Sequence, residues 1–146
     1  MRLLAQSIVT NTPLRRIVLD VIIQERNQEE DMIGLARALA HSSSMKHFSL
    51  LGLHKQSQKV QQTFVEMLKH DYILESCSLV ERTNIEREFD FYLALNRLGR
   101  GRLMANENAA TRQDWVDVPL KSQRHLDCLF YFLSSNPGSI LDEAKE

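Results

Sequence analysis

A short pattern occurs three times in this chain of 146 residues, and it limits the possible folds more than any other feature. The copies LRRIVLD, MKHFSLL and LESCSLV begin at Leu14, Met45 and Leu74, and each has apolar residues at positions one, four and six. The residue between positions four and six can be polar or apolar. Apolar residues at every second position predict a short strand with one buried face. Copies spaced at about thirty residues indicate a repeated structural unit.

A segment with helical spacing precedes each copy. Its last two apolar residues are four positions apart, as on one face of a helix, and the three pairs are Leu4 and Ile8, Leu35 and Leu39, and Phe64 and Leu68. One strand and one helix cannot cover both of their apolar faces, but stacked copies can. We therefore expect parallel strands on one side and helices on the other, joined by right-handed crossovers.

The repeated unit resembles the ribonuclease-inhibitor type of leucine-rich repeat, which combines an L-x-x-[apolar]-x-L strand with a helix like GLARAL. The best match is GLARALAHSSSMKHFSL, and the resemblance covers about residues 3–97. It implies an α/β leucine-rich-repeat solenoid with a short curved parallel sheet, helices on the convex side and a helical C-terminal cap. The family's usual asparagine after the strand is absent, since Ile22, Leu53 and Arg82 occupy that position.

The resemblance also suggests a division of the chain. Residues 1–104 would be repeats, of which the first is incomplete, and we expect the chain to be the C-terminal part of a longer array. Residues 105–146 would be the cap, with a tail that frays from about Ile140. Within the cap, Pro119 should end one short helix, because it lacks an amide hydrogen. A second helix should bury the face formed by Leu126, Leu129, Phe130 and Leu133.

The strand residues between the apolar ones should lie on the opposite face of the sheet, because successive side chains of a strand alternate. In the implied solenoid this is the concave face. It mixes charged, hydroxyl and small apolar groups at a strand spacing of about 4.8 Å, which suits contact with a protein better than enclosure of a small molecule. The predicted protein-binding residues are Arg16, Val18, Asp20, His47, Ser49, Leu51, Ser76, Ser78 and Val80.

A second candidate site is the cluster formed by Arg97, Arg100 and Arg102, late in NIEREFDFYLALNRLGRGRLM. Three guanidinium groups in one short segment could hold an anion or an acidic partner. The alternative is that the arginines compensate the dipole at the end of a helix that stops near Gly99.

Composition and spacing argue against several other kinds of site. With 18 basic and 19 acidic residues, the net charge of −1 gives no general attraction to nucleic acid or to a membrane. No metal-binding spacing and no catalytic motif occurs, so we expect no enzyme activity, metal or cofactor. Cys77 and Cys128 form no close pair, and we expect buried free thiols in a cytoplasmic protein.

The family resemblance implies binding rather than catalysis. We expect a protein-protein interaction module whose partner, a protein of unknown identity, binds the concave face. The alternatives are a regulator of an enzyme, of the GTPase-activator or nuclease-inhibitor type, and actin-filament binding by analogy with tropomodulin, which FYLALNRLGR resembles. The exposed N-terminal repeat could also mediate a homodimer.

Overall fold

The structure is a computed structural model that describes residues 2–20, 28–51, 57–78, 86–104 and 110–135. The chain divides into two compact units, Met1–Leu93 and Ala94–Glu146. In chain order, the elements of the described residues are α1 (Arg2–Thr10), β1 (Arg16–Asp20), α2 (Gln28–Ala40), β2 (His47–Leu51), α3 (Gln58–His70), β3 (Ser76–Ser78), α4 (Glu86–Leu98), α5 (Arg100–Met104), α6 (Arg112–Lys121) and α7 (Leu126–Ser135).

The three strands lie within the three aligned sequence windows and form one parallel sheet in the order β1-β2-β3. In its register, Ile17 lies opposite Phe48, and Phe48 lies opposite Cys77. At the start of the sheet, the carbonyl oxygen of Arg15 accepts a hydrogen bond from the backbone nitrogen of His47 at 3.0 Å. Equivalent positions of the three windows are therefore neighbours in the sheet.

The core of the first unit lies between the sheet and its helices. Helix α2 contacts both α1 and α3. Phe48 and Leu50 of β2 are buried together with helix residues such as Leu35, Phe64 and Leu68. Each helix contributes apolar residues at the predicted i, i+4 spacing, so the sheet and the helices cover each other's apolar faces.

The prediction of an α/β leucine-rich-repeat solenoid is wrong. The described part of the protein is mostly helical, with seven helices and a single small sheet that is neither closed nor extended into a solenoid. The strands have five, five and three residues, whereas α2, α3 and α4 have thirteen each. The repeated pattern predicted the positions of the strands. It did not predict that the helices between them would be much longer than the strands.

The second unit is built from helices. Leu103 of α5, Val118 of α6, and Cys128 and Phe132 of α7 are buried, and α6 contacts both α5 and α7. The division between the units falls within α4, after Leu93. The predicted boundary between repeats and cap, after residue 104, stays a prediction. The predicted frayed tail from Ile140 lies outside the described residues.

Two details of the predicted cap are wrong. Helix α6 does not end at Pro119 but continues to Lys121, and Pro119 is buried. The missing N–H removes one hydrogen bond, but the last turn is still closed, because the backbone nitrogen of Ser122 donates to the carbonyl oxygens of Val118 and Pro119. Helix α7 buries Cys128 and Phe132, whereas Leu126 and Phe130 are exposed, so the predicted buried face points outward.

Among the described residues, no helix has both the length and the apolar character that crossing a membrane requires.

Candidate functional site

The outer face of the sheet carries most of the predicted protein-binding residues in two rows across the strands. In the first row, Arg16, His47 and Ser76 lie side by side. In the second row, the neighbours are Val18, Ser49 and Ser78. Neighbouring strands are about 4.8 Å apart, and successive rows are about 7 Å apart along the strands. We call these six residues the outer face.

The outer face is open in the described part of the chain. Arg16, Val18, His47 and Ser78 are exposed, and Ser49 and Ser76 are half-buried. The side chain of Val18 is 52% exposed, whereas Phe48 on the inner face is 1% exposed. Parallel sheets in globular proteins are normally covered on both faces. A sheet face that the described residues leave uncovered, with an exposed valine on its edge strand, is therefore a candidate docking surface.

Two arginines and an ion pair lie near the beginning of the strands. Arg15 and Arg16 are exposed where β1 begins. Lys46 and Glu75, which precede β2 and β3, form an ion pair with an N–O distance of 2.5 Å. The second row, with one valine and two serines, carries no formal charge. The outer face can thus donate and accept hydrogen bonds beside one exposed apolar side chain, that of Val18.

Three of the nine predicted protein-binding residues cannot be compared in full. Asp20 and Leu51 lie opposite each other at the ends of β1 and β2, and their side chains are outside the described part of the structure. Val80 lies outside the described residues altogether.

The predicted arginine patch does not form as a surface of three side chains. Arg100 is fully buried, and its Nε donates a hydrogen bond of 2.9 Å to Oδ1 of Asn96. Arg102 forms an ion pair with Asp114, while Arg97 is exposed. The spacing of the arginines suggested a patch, but Arg100 begins α5 and its side chain lies in the interior of the second unit. An anion would therefore meet separated guanidinium groups.

A capping box that was not predicted from the sequence stands at the start of α6. The hydroxyl of Thr111 accepts a hydrogen bond from the backbone nitrogen of Asp114, and the Asp114 carboxylate accepts one from the backbone nitrogen of Thr111. The backbone and hydroxyl donors of Thr111, with the nearby charge of Arg102, lower the pKa of Asp114 below its ordinary value. The signal was present, since TRQD has the threonine and the acid at capping-box spacing.

The described residues include no group of three or more His, Cys, Asp or Glu side chains that could hold a metal ion. Comparison with models of protein families, with curated proteins and with solved structures found no match to this chain. The resemblance to leucine-rich repeats therefore gains no support from these comparisons. A proposal about function has to rest on the geometry of the outer face.

Proposed function

We propose that this chain is a non-catalytic protein-interaction module, and that its partner binds the outer face. The observation that carries the proposal is the face of the parallel sheet that no described residue covers, with Val18 52% exposed at the β1 end of its second row. A protein interface combines apolar burial with hydrogen bonds, and the outer face offers both, since Val18 can be buried while the neighbouring hydroxyl and charged groups make hydrogen bonds.

The partner should be a protein with a small apolar group opposite Val18 and hydrogen-bonding groups opposite the serines. The outer face is one side of a three-stranded sheet, and such a face suits a protein surface better than a small molecule, which needs a concave pocket. We further propose a cytoplasmic location, which is supported by two buried cysteines, Cys77 and Cys128, that form no disulfide.

The experiment uses two double variants with the same residue types at the same spacing. His47→Glu with Ser49→Glu places two carboxylates on the outer face. His41→Glu with Ser43→Glu places two carboxylates in the turn after α2, where both residues are exposed. The wild-type chain serves as bait in an extract of cells that express it, and captured proteins are purified and tested by calorimetry.

We expect the partner to bind the wild type and the turn variant, and to bind the outer-face variant at least about tenfold more weakly. Both variants should melt within a few degrees of the wild type, because every substituted residue but Ser49 is exposed and Ser49 is half-buried. Equal binding of all captured proteins to both variants would show that the outer face is not the binding surface.

A further inference from the structure

Among the described residues, the sheet has an open edge at β1. β1 is hydrogen-bonded to β2, and the described residues provide no strand on its other side. The carbonyl oxygen of Arg15 is directed to β2. Because backbone groups alternate in direction along a strand, those of Ile17 and Leu19 also face β2, and those of residues 16, 18 and 20 face the open edge. Such an edge can pair with a further strand.

The inner side of β1 is also less covered than that of its neighbour. Ile17 and Leu19 are only partly buried. Their register partners on β2, Phe48 and Leu50, are 1% and 0% exposed. A strand added at the open edge would bring further apolar side chains against Ile17 and Leu19 and complete their burial.

The sequence of β1 is complementary to itself. If two copies of RIVLD run antiparallel with Val18 opposite Val18, residue 16 of one copy lies opposite residue 20 of the other, so an arginine meets an aspartate twice. Ile17 then lies opposite Leu19 of the second copy. A shift by two residues in either direction loses the charge pairs, and a shift by one places inner residues opposite outer ones.

The backbone directions agree with this register. Residues 16, 18 and 20 of each copy direct their N–H and C=O groups to the shared edge, and in this pairing they lie opposite one another. About six hydrogen bonds would form between the copies. We infer that two copies of this chain form a two-fold symmetric dimer in which their β1 strands pair antiparallel, giving a continuous sheet of six strands.

The experiment measures the mass of the full chain by sedimentation equilibrium over a range of concentrations. We expect a dimer of twice 16.9 kDa that dissociates on dilution. Arg16→Asp and Asp20→Arg each place like charges opposite one another at two points, and each should raise the dimer dissociation constant at least about tenfold. The double variant Arg16→Asp with Asp20→Arg restores both pairs and should dimerise like the wild type.

Mixing the two single variants separates loss of pairing from loss of folding. In a mixed dimer, each aspartate of the Arg16→Asp chain lies opposite an arginine of the Asp20→Arg chain. The mixture should therefore form a heterodimer although each variant alone is monomeric. Val18→Pro should also give a folded monomer, since its lost N–H faces the open edge and not β2.

Three results would overturn the inference. The first is a wild-type chain that stays monomeric at a concentration of hundreds of micromolar. The second is dimerisation of the single variants as strong as that of the wild type. The third is growth beyond the dimer with concentration, which would indicate head-to-tail pairing of β3 with β1. None of these results bears on the outer-face variants, which carry no change in β1.

Discussion

At the scale of single residues, two glycines occupy opposite environments. Gly99 has a φ of +109°, and a Cβ atom added there would lie 3.2 Å from Cγ2 of Val118. Gly34 lies within α2, and an added Cβ would meet no atom within 4 Å. The same substitution should therefore change stability in opposite directions at the two positions.

We expect Gly99→Ala to lower the free energy of unfolding by about 1–3 kcal/mol, because alanine is strained at this φ and crowds Val118. Gly34→Ala should raise it by about 0.5–1 kcal/mol, because alanine restricts the unfolded chain and favours the helix. Urea unfolding followed by circular dichroism measures both changes. A stabilising Gly99→Ala would contradict the described conformation of that residue.

Asp114 makes the stability of the second unit depend on pH. Its pKa is lowered in the folded state by the hydrogen bonds from Thr111, with a contribution from Arg102. A carboxylate with a lowered pKa stabilises the fold above its unfolded pKa of about 3.9. That contribution is lost as the pH falls through the folded pKa.

We expect Asp114→Asn to be less stable than the wild type at pH 7, and the difference should shrink as the pH falls below about 4. Urea unfolding monitored by the fluorescence of Trp115, the single tryptophan, reports on the same helix. Asp117→Asn is the control, since Asp117 lies in α6 outside the capping box. A difference that stays constant from pH 7 to pH 3 would argue against the role of Asp114.

At the scale of the element, α7 shows where a sequence pattern cannot decide. LDCLFYFL carries apolar residues around most of the helix, so spacing alone does not choose which face is buried. The structure buries the face of Cys128 and Phe132, and leaves Phe130 73% exposed. Two phenylalanines in one helix turn thus have opposite environments.

We expect Phe132→Ala to cost about 3–5 kcal/mol of unfolding free energy, because it leaves a cavity in the core of the second unit. Phe130→Ala should change stability by no more than about 0.5 kcal/mol. Chemical denaturation of the two variants measures both values, each against the wild type. If Phe130→Ala lowered the free energy of unfolding more than Phe132→Ala, the buried face would be the one expected from the sequence.

The strands could be located from sequence because their signal is redundant. Phe48 and Leu50 alternate within β2, and equivalent residues of β1 and β3 repeat the spacing. Predictions from a pattern that occurs only once in the chain were less reliable. Arg100 resembled its exposed neighbours, and nothing in the spacing showed that Asn96 accepts its hydrogen bond. The extent of the sheet depends on tertiary packing, which short windows do not contain.

At the scale of the whole molecule, the first unit has one core to which α1, α2, α3, α4 and the three strands contribute. Phe48 lies on the middle strand, and its side chain is 1% exposed. Opening of this core should therefore release β1 and β3 together, since each is hydrogen-bonded to β2.

We expect Phe48→Ala to cost about 3–5 kcal/mol and to raise hydrogen exchange in β1 and β3 by the same factor, roughly a hundredfold or more. Exchange followed by mass spectrometry of the peptides that cover each strand measures this factor. Ser49→Ala, on the outer face of the same strand, should leave both strands protected. Faster hydrogen exchange in only one of β1 and β3 would indicate that the unit does not open as a whole.

The two buried cysteines give each compact unit its own chemical label. Cys77 is 3% exposed in the first unit, and Cys128 is 3% exposed in the second. Burial, with the nearby charge of Asp127, raises the pKa of Cys128, so its thiol stays protonated and slow to alkylate in the folded state. The alkylation rate of each thiol would therefore report how often its own unit opens, independently of the other unit.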